Sequence, residues 1–147
     1  MSFFNKDISQ IHFEYKKFGK PYLKTNDISF NISHSKNLAI IALSKNIEIG
    51  VDIEFIDYQF DYLPLLECFA SDREISWLME ENSIRRFYQL WTTKEAILKC
   101  SGVGMMDSKF PELIIQRNEL LYYGNKIINL QYNYEYYISA CIAGEDD

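Results

Sequence analysis

Apolar residues change their spacing twice along this chain, and that order rules out most architectures. Residues 28–32, 38–43 and 47–55 carry short strand-type runs rich in Ile, Leu and Val. From Ser71 the period becomes helical. Ser71-Asp72-Arg73-Glu74 has the form of a capping box, in which Ser71 opens a helix and Glu74 reaches back to it. A second helix is predicted from Ser83 through Phe87, Leu90, Trp91, Ala96 and Leu98, stopped by Ser101-Gly102. Strand runs then return at 113–115, 120–123, 127–132 and 136–142. Strands, then helices, then strands again predict an α+β fold, an antiparallel sheet packed against a long helix, and not a doubly wound parallel sheet.

Smaller signals refine the reading. Ile11, Phe13 and Tyr15 alternate as in a strand, although Ile8, Ile11, Tyr15 and Phe18 fit a helix face too. Gly19-Lys20-Pro21 marks a turn, and the short polar link Ser44-Lys45-Asn46 predicts a hairpin between the runs on either side of it. The 147 residues, without repeats or a linker, are read as one domain spanning 1–147.

Charge narrows the function classes. The net charge of −6 divides unevenly: seven Lys against three acids in residues 1–46, eight bases against eighteen acids beyond. A basic first third suits an anionic ligand and an acidic remainder suits a cation. The acidic balance argues against nucleic acid, whose affinity comes from clustered Lys and Arg. Cys68, Cys100 and Cys141 are odd in number and widely spaced, the pattern of reduced thiols in a cytoplasmic protein. No run approaches the ~18 apolar residues of a membrane span, and the opening residues are too short for a signal peptide. Aromatics at 16% fit a packed, strand-rich core.

Three segments carry chemistry. In Gly50-Val51-Asp52-Ile53-Glu54, strand alternation puts Asp52 and Glu54 on one face, with Val51 and Ile53 on the other. Paired carboxylates suit Mg²⁺, which takes one or two of them and completes its shell with waters and phosphate oxygens; two solvated acids on an exposed edge are the plainer reading. In the second helix Trp91, Glu95 and Lys99 fall four residues apart on one stripe, and Glu95 to Lys99 is also an ordinary surface ion pair, worth ~0.3–0.5 kcal/mol. Phe30-Asn31-Ile32-Ser33-His34-Ser35 ends a strand in a polar cluster, where a protonated His34 could meet phosphate or simply face solvent.

Taken in order, Asn31-Ile32-Ser33-His34-Ser35, Gly50-Val51-Asp52-Ile53-Glu54 and Trp91-Thr92-Thr93-Lys94-Glu95-Ala96 with Lys99 resemble the signature motifs of 4′-phosphopantetheinyl transferases. Phe18-Gly19-Lys20-Pro21-Tyr22 is similar to the loop that precedes the histidine motif in surfactin-synthetase-type members, and 136–141 is similar to their closing strand. The resemblance covers nearly the whole chain. It implies the C-terminal lobe of a two-lobe enzyme plus the end of the first lobe, most of the N-terminal lobe being absent.

The resemblance also implies the chemistry. Phosphopantetheine would pass from coenzyme A to a serine of an acyl or peptidyl carrier protein, releasing 3′,5′-adenosine bisphosphate. Asp52, Glu54 and Glu95 would hold Mg²⁺, with Mn²⁺ as the alternative ion. Lys99 would reach the diphosphate, while Lys20, Ser33, His34 and Lys94 would form the nucleotide-binding set. Glu95, a metal-bound water and Glu74 are the candidate bases, Glu74 having the capping box as its other role. The carrier is expected to dock near Arg73, Arg85 and Arg86, and the uncovered flank of the lobe to pair two chains as a homodimer. An inactive coenzyme A or carrier-binding module, or one subunit of a split transferase, are the alternatives.

Overall fold

The computed structural model describes residues 7–24, 27–102 and 110–144. Nine strands and three helices follow in order: β1 (Phe13–Tyr15), β2 (Pro21–Leu23), β3 (Ile28–Ser35), β4 (Leu38–Lys45), β5 (Ile49–Phe55), α1 (Leu63–Phe69), α2 (Asp72–Glu80), α3 (Ser83–Ser101), β6 (Ile114–Gln116), β7 (Glu119–Leu121), β8 (Lys126–Tyr132) and β9 (Tyr136–Ile142). The α+β expectation holds. The chief sheet is antiparallel in the order β5-β9-β8, and β1-β2, β3-β4 and β6-β7 form two-stranded sheets.

The helix boundaries follow from local chemistry. Ser71 accepts from the Glu74 amide and the Glu74 carboxylate accepts from the Ser71 amide, so the predicted capping box starts α2. Gly102, at φ +73°, turns the chain left-handed after α3 and returns its N–H to the Leu98 and Lys99 carbonyls.

The predicted hairpin between the strands flanking Ser44-Lys45-Asn46 does not form. β4 pairs with β3 instead, in register from Ile28↔Lys45 to Ser35↔Leu38. Lys36 and Asn37 make the two-residue loop between them, Lys36 supplying φ +52°. β5 takes its backbone partner from the far end of the chain, with Asp52 opposite Ser139 on β9.

Two apolar layers enclose the chief sheet. On one side α3 packs Phe87, Leu90, Ala96, Ile97 and Cys100 against Cys141 and Tyr137, with Leu66, Phe69 and Trp77 from the other helices closing the cluster. On the other side Val51, Ile53, Tyr136 and Ile138 meet Leu38, Ile40 and Ala42 of β4. Part of the aromatic wealth of the sequence lies here: Phe69, Phe87, Trp91 and Phe110 interlock with ring centroids 5.1–6.4 Å apart. β5 can lie so close to α3 because residue 50 is Gly. A Cβ there would strike the Ala96 carbonyl oxygen and the Cys100 amide nitrogen, both backbone atoms that cannot move aside. No helix among the described residues is long and apolar enough to cross a membrane.

Candidate active site

Close packing of β5 on α3 decides where the carboxylates go. Val51 and Ile53 enter the apolar layer under β4, so Asp52 and Glu54 point the opposite way, toward α3. Asp52 is only 4% exposed, which excludes the reading of two solvated acids on an edge. The helix answers with its stripe of Trp91, Glu95 and Lys99, the half-buried positions among otherwise buried neighbours from 91 to 100.

Lys99 does not pair with Glu95 as helical spacing predicts. Its ammonium reaches across to Asp52 Oδ1 at 2.9 Å and to Ser33 Oγ at 3.2 Å. Charge attraction strengthens away from water, so the buried carboxylate takes the lysine from the more accessible one. Ser33 Oγ also donates to Asp52 Oδ1 at 3.1 Å. One oxygen of Asp52 is therefore held twice. The other, Oδ2, is buried with no hydrogen-bond partner, and so is Glu95 Oε1.

Three acids this near one another resist ionising. Burial and the negative charge of Asp52 push Glu54 up to about 7, against the pull of Lys99 and the Trp91 indole. Burial, Asp52 and Glu54 push Glu95 up to about 7, again opposed by Lys99. Burial raises Asp52 as well, although Lys99 and Ser33 work against it. Carboxylate oxygens without partners, and acids raised by burial and by a neighbour's charge, are what a cation here would relieve. Among the described residues no three such side chains converge tightly enough to form a metal cage by themselves. A hard ion that draws most of its shell from water and a ligand's phosphates does not need one.

A cavity of about 270 Å³ adjoins this cluster, lined by Lys20, Asn31, Ile32, Glu95 and Lys99 among others. Beneath it a polar network fixes the helix to the sheet. Thr92 Oγ1 lies 2.7 Å from Ser139 Oγ, and Asn129 Nδ2 donates to Ser139 Oγ (2.7 Å) and Thr93 Oγ1 (2.8 Å).

The remaining predicted site residues divide. His34 is exposed and, by strand alternation, faces away from Ser33 and the carboxylates. Lys20 lines the cavity, but its ammonium is already engaged with Glu48 (2.9 Å), the Ile49 carbonyl (3.0 Å) and the Cys100 carbonyl (3.3 Å). All three of its hydrogens are committed, so it acts here as a clamp between β5 and the end of α3.

Glu74, a candidate base, and Lys94, a candidate nucleotide ligand, are paired with each other inside the protein. They are 0% and 1% exposed and bond to each other at 2.6 Å, with Lys94 also donating to the Phe69 carbonyl and Glu74 accepting from Leu113 N. Burial pushes the Lys94 ammonium down, while Glu74 supports its charge. Their hydrogen bonds join α2, α3 and the segment before β6.

Arg86 is likewise unavailable to a partner. It is buried over the Trp77 ring at 4.6 Å and donates to the Trp77 carbonyl, Glu80 and Glu81. Arg73 and Arg85 are exposed.

Sequence reasoning missed Asn31 and Ser35. Asn31 Oδ1 accepts from Val51 N at 2.8 Å, and Ser35 Oγ accepts from Phe55 N at 2.9 Å. The signal was present as polar residues at alternate positions of one strand.

The family model of the 4′-phosphopantetheinyl transferase superfamily matches residues 48–139, which include β5, the helices and most of β9. The chain is 33% identical over 117 residues to the 4′-phosphopantetheinyl transferase HetI of Nostoc, covering 75% of this chain and 49% of that protein. It is 38% identical over 98 residues to the 4′-phosphopantetheinyl transferase gsp of Aneurinibacillus migulanus, covering 65% and 40%. It is 35% identical over 103 residues to the 4′-phosphopantetheinyl transferase Sfp of Bacillus subtilis, covering 67% and 45%. The chain thus spans less than half the length of these relatives.

Proposed function

We propose that this chain, which belongs to the 4′-phosphopantetheinyl transferase superfamily, transfers phosphopantetheine from coenzyme A to a serine of an acyl or peptidyl carrier protein. The observation that carries the reading is the cluster of Asp52, Glu54 and Glu95 around Lys99, on the two segments that the family match spans.

Mg²⁺, or Mn²⁺ in its place, fits this donor set, because Asp52 Oδ2 and Glu95 Oε1 are buried oxygens without partners. Such an ion, when bound, neutralises charge on the diphosphate oxygens as the phosphoanhydride breaks. The chain's own residues supply the rest. Lys99 provides a fixed positive charge beside Asp52. A carrier serine hydroxyl attacks the β-phosphorus, the bond to the bridging oxygen breaks, and 3′,5′-adenosine bisphosphate leaves. Glu74 is committed to its cap and to Lys94, so Glu95 and a metal-bound water are the proposed acceptors of the serine proton. His34 is exposed, and a phosphate contact by it is proposed from the family resemblance alone.

Arg73 and Arg85 are the exposed bases proposed to meet an acidic carrier. Ile128, Leu130 and Tyr132 leave an apolar column uncovered on β8, which supports a homodimer. The dependence on coenzyme A makes the cytoplasm the proposed compartment. Mass spectrometry of a carrier domain incubated with this chain, coenzyme A and Mg²⁺ tests the reading: the carrier should gain one phosphopantetheine. The alternative is a module that binds coenzyme A without transfer, and an unchanged carrier mass with measurable coenzyme A binding would select it.

A further inference from the structure

Among the described residues β5 has a strand partner on one edge only, β9. Its other edge offers the N–H groups of Val51, Ile53 and Phe55 to side chains. Asn31 Oδ1 takes the first at 2.8 Å, Ser33 Oγ the second at 3.2 Å and Ser35 Oγ the third at 2.9 Å. The rungs fall at every second residue on both strands, so β3 lies alongside β5 and is bound to it by side chains where a sheet would use carbonyls. Unpaired backbone donors in a buried place are costly, and this ladder satisfies three of them.

Ser33 does more than make the middle rung. A hydroxyl has one proton and two lone pairs. The Ser33 proton goes to Asp52 Oδ1 at 3.1 Å, and the lone pairs receive Ile53 N and Lys99 Nζ. Every bonding direction is used, which makes a direct contact from this hydroxyl to a ligand's phosphate a poor second role. With Oδ1 fixed by Ser33 and Lys99, the carboxylate plane of Asp52 is fixed too, and the partnerless Oδ2 is the oxygen left over.

We propose that Asn31, Ser33 and Ser35 are positioning residues, a side-chain ladder that sets β5 against α3 and, through Ser33, turns Asp52 so that Oδ2 is the atom a divalent cation meets. The ladder stands on its hydrogen bonds alone; the role given to Oδ2 rests on the transfer reading above. Partners that orient a metal's ligands typically change its affinity 10–100-fold.

Two measurements separate these parts. Amide hydrogen exchange by NMR reads the ladder directly. Asn31→Ala should lose at least ~10-fold protection at Val51, Ser33→Ala at Ile53 and Ser35→Ala at Phe55, each with little change at the other two amides. Mn²⁺ uptake followed by electron paramagnetic resonance reads Asp52. Ser33→Ala should weaken Mn²⁺ binding by about 10-fold or more, and Ser33→Thr, which keeps the hydroxyl, should restore most of it. Unchanged exchange at the three amides would overturn the ladder. Ser33→Ala binding Mn²⁺ as tightly as the parent, or Ser33→Thr failing as badly as Ser33→Ala, would overturn the orienting role. A parent chain that takes up no Mn²⁺ even with coenzyme A present would overturn the cation part together with the transfer reading, and the exchange result would still decide the ladder.

Discussion

Replacing Lys94 with Met should cost this protein a large share of its stability. Lys94 Nζ sits 2.6 Å from Glu74 Oε1 and 2.6 Å from the Phe69 carbonyl, and neither charged side chain reaches solvent. Without the lysine, Glu74 keeps the Ser71 and Leu113 amides at 2.8 and 3.1 Å but has no counter-charge within the core. Leaving one member of a buried pair uncompensated costs about 3–5 kcal/mol. With a urea m-value of about 2 kcal/mol per molar, that moves the unfolding midpoint down by roughly 2 M. Circular dichroism during urea titration gives the number. The double variant Lys94→Met/Glu74→Gln should recover part of the loss: it leaves no stranded charge, although the amide replaces one of the two oxygens that accept the Ser71 and Leu113 N–H groups. A loss below about 1 kcal/mol for Lys94→Met, or no recovery in the double variant, would refute the structural role. Turnover that fell while stability held would point to a part in the chemistry.

Three further outcomes follow from the geometry. Glu54 keeps its proton to about pH 7 in the folded chain and loses it near pH 4.3 when unfolded, so between these values the fold binds the extra proton and loses stability as pH rises. Glu54→Gln should therefore melt higher than the parent at about pH 8, with the gap closing near pH 4; a parent that is the more stable form at pH 8 contradicts this. Gly50→Ala should destabilise by about 3 kcal/mol or more in urea unfolding, because its Cβ meets backbone on α3, and a cost under 0.5 kcal/mol would mean that β5 and α3 are not so closely packed. Light scattering coupled to size exclusion should report a dimer at micromolar concentration, and a mass near 17.4 kDa throughout would contradict it.

What the sequence made legible was whatever its own neighbours determine. The box Ser71–Glu74 and the glycine at 102 are short-range devices, and both ends they mark are where α2 starts and α3 stops. Alternation gave β9 its bounds and put Asp52 and Glu54 on one face, and helical spacing put Trp91, Glu95 and Lys99 on one stripe. The helix α1 went unread because seven residues cannot repay helix nucleation by propensity, and it is packing of Leu66 and Phe69 into the core that stabilises it. The hairpin error had a related origin. Nothing local says that the open edge of β5 will be met by side chains of β3, with β9 on the other edge from some ninety residues downstream. Lys99 was assigned to Glu95 by a rule for solvated helices, and burial of Asp52 overrode it. A lysine in a motif does not reveal its partners: the ammonium of Lys20 meets Glu48 and that of Lys94 the Phe69 carbonyl.

Asp52, Glu54 and Glu95 are proposed to gather a divalent ion where coenzyme A reacts. The most direct test is single-turnover transfer to a carrier domain, followed by intact-protein mass spectrometry with Mg²⁺ titrated into the parent chain and into Asp52→Ala. The account predicts Mg²⁺-dependent modification by the parent and a loss of at least ~100-fold in rate for Asp52→Ala, with circular dichroism showing the variant folded. Transfer by Asp52→Ala at the parent's rate, with the same Mg²⁺ dependence, would contradict it.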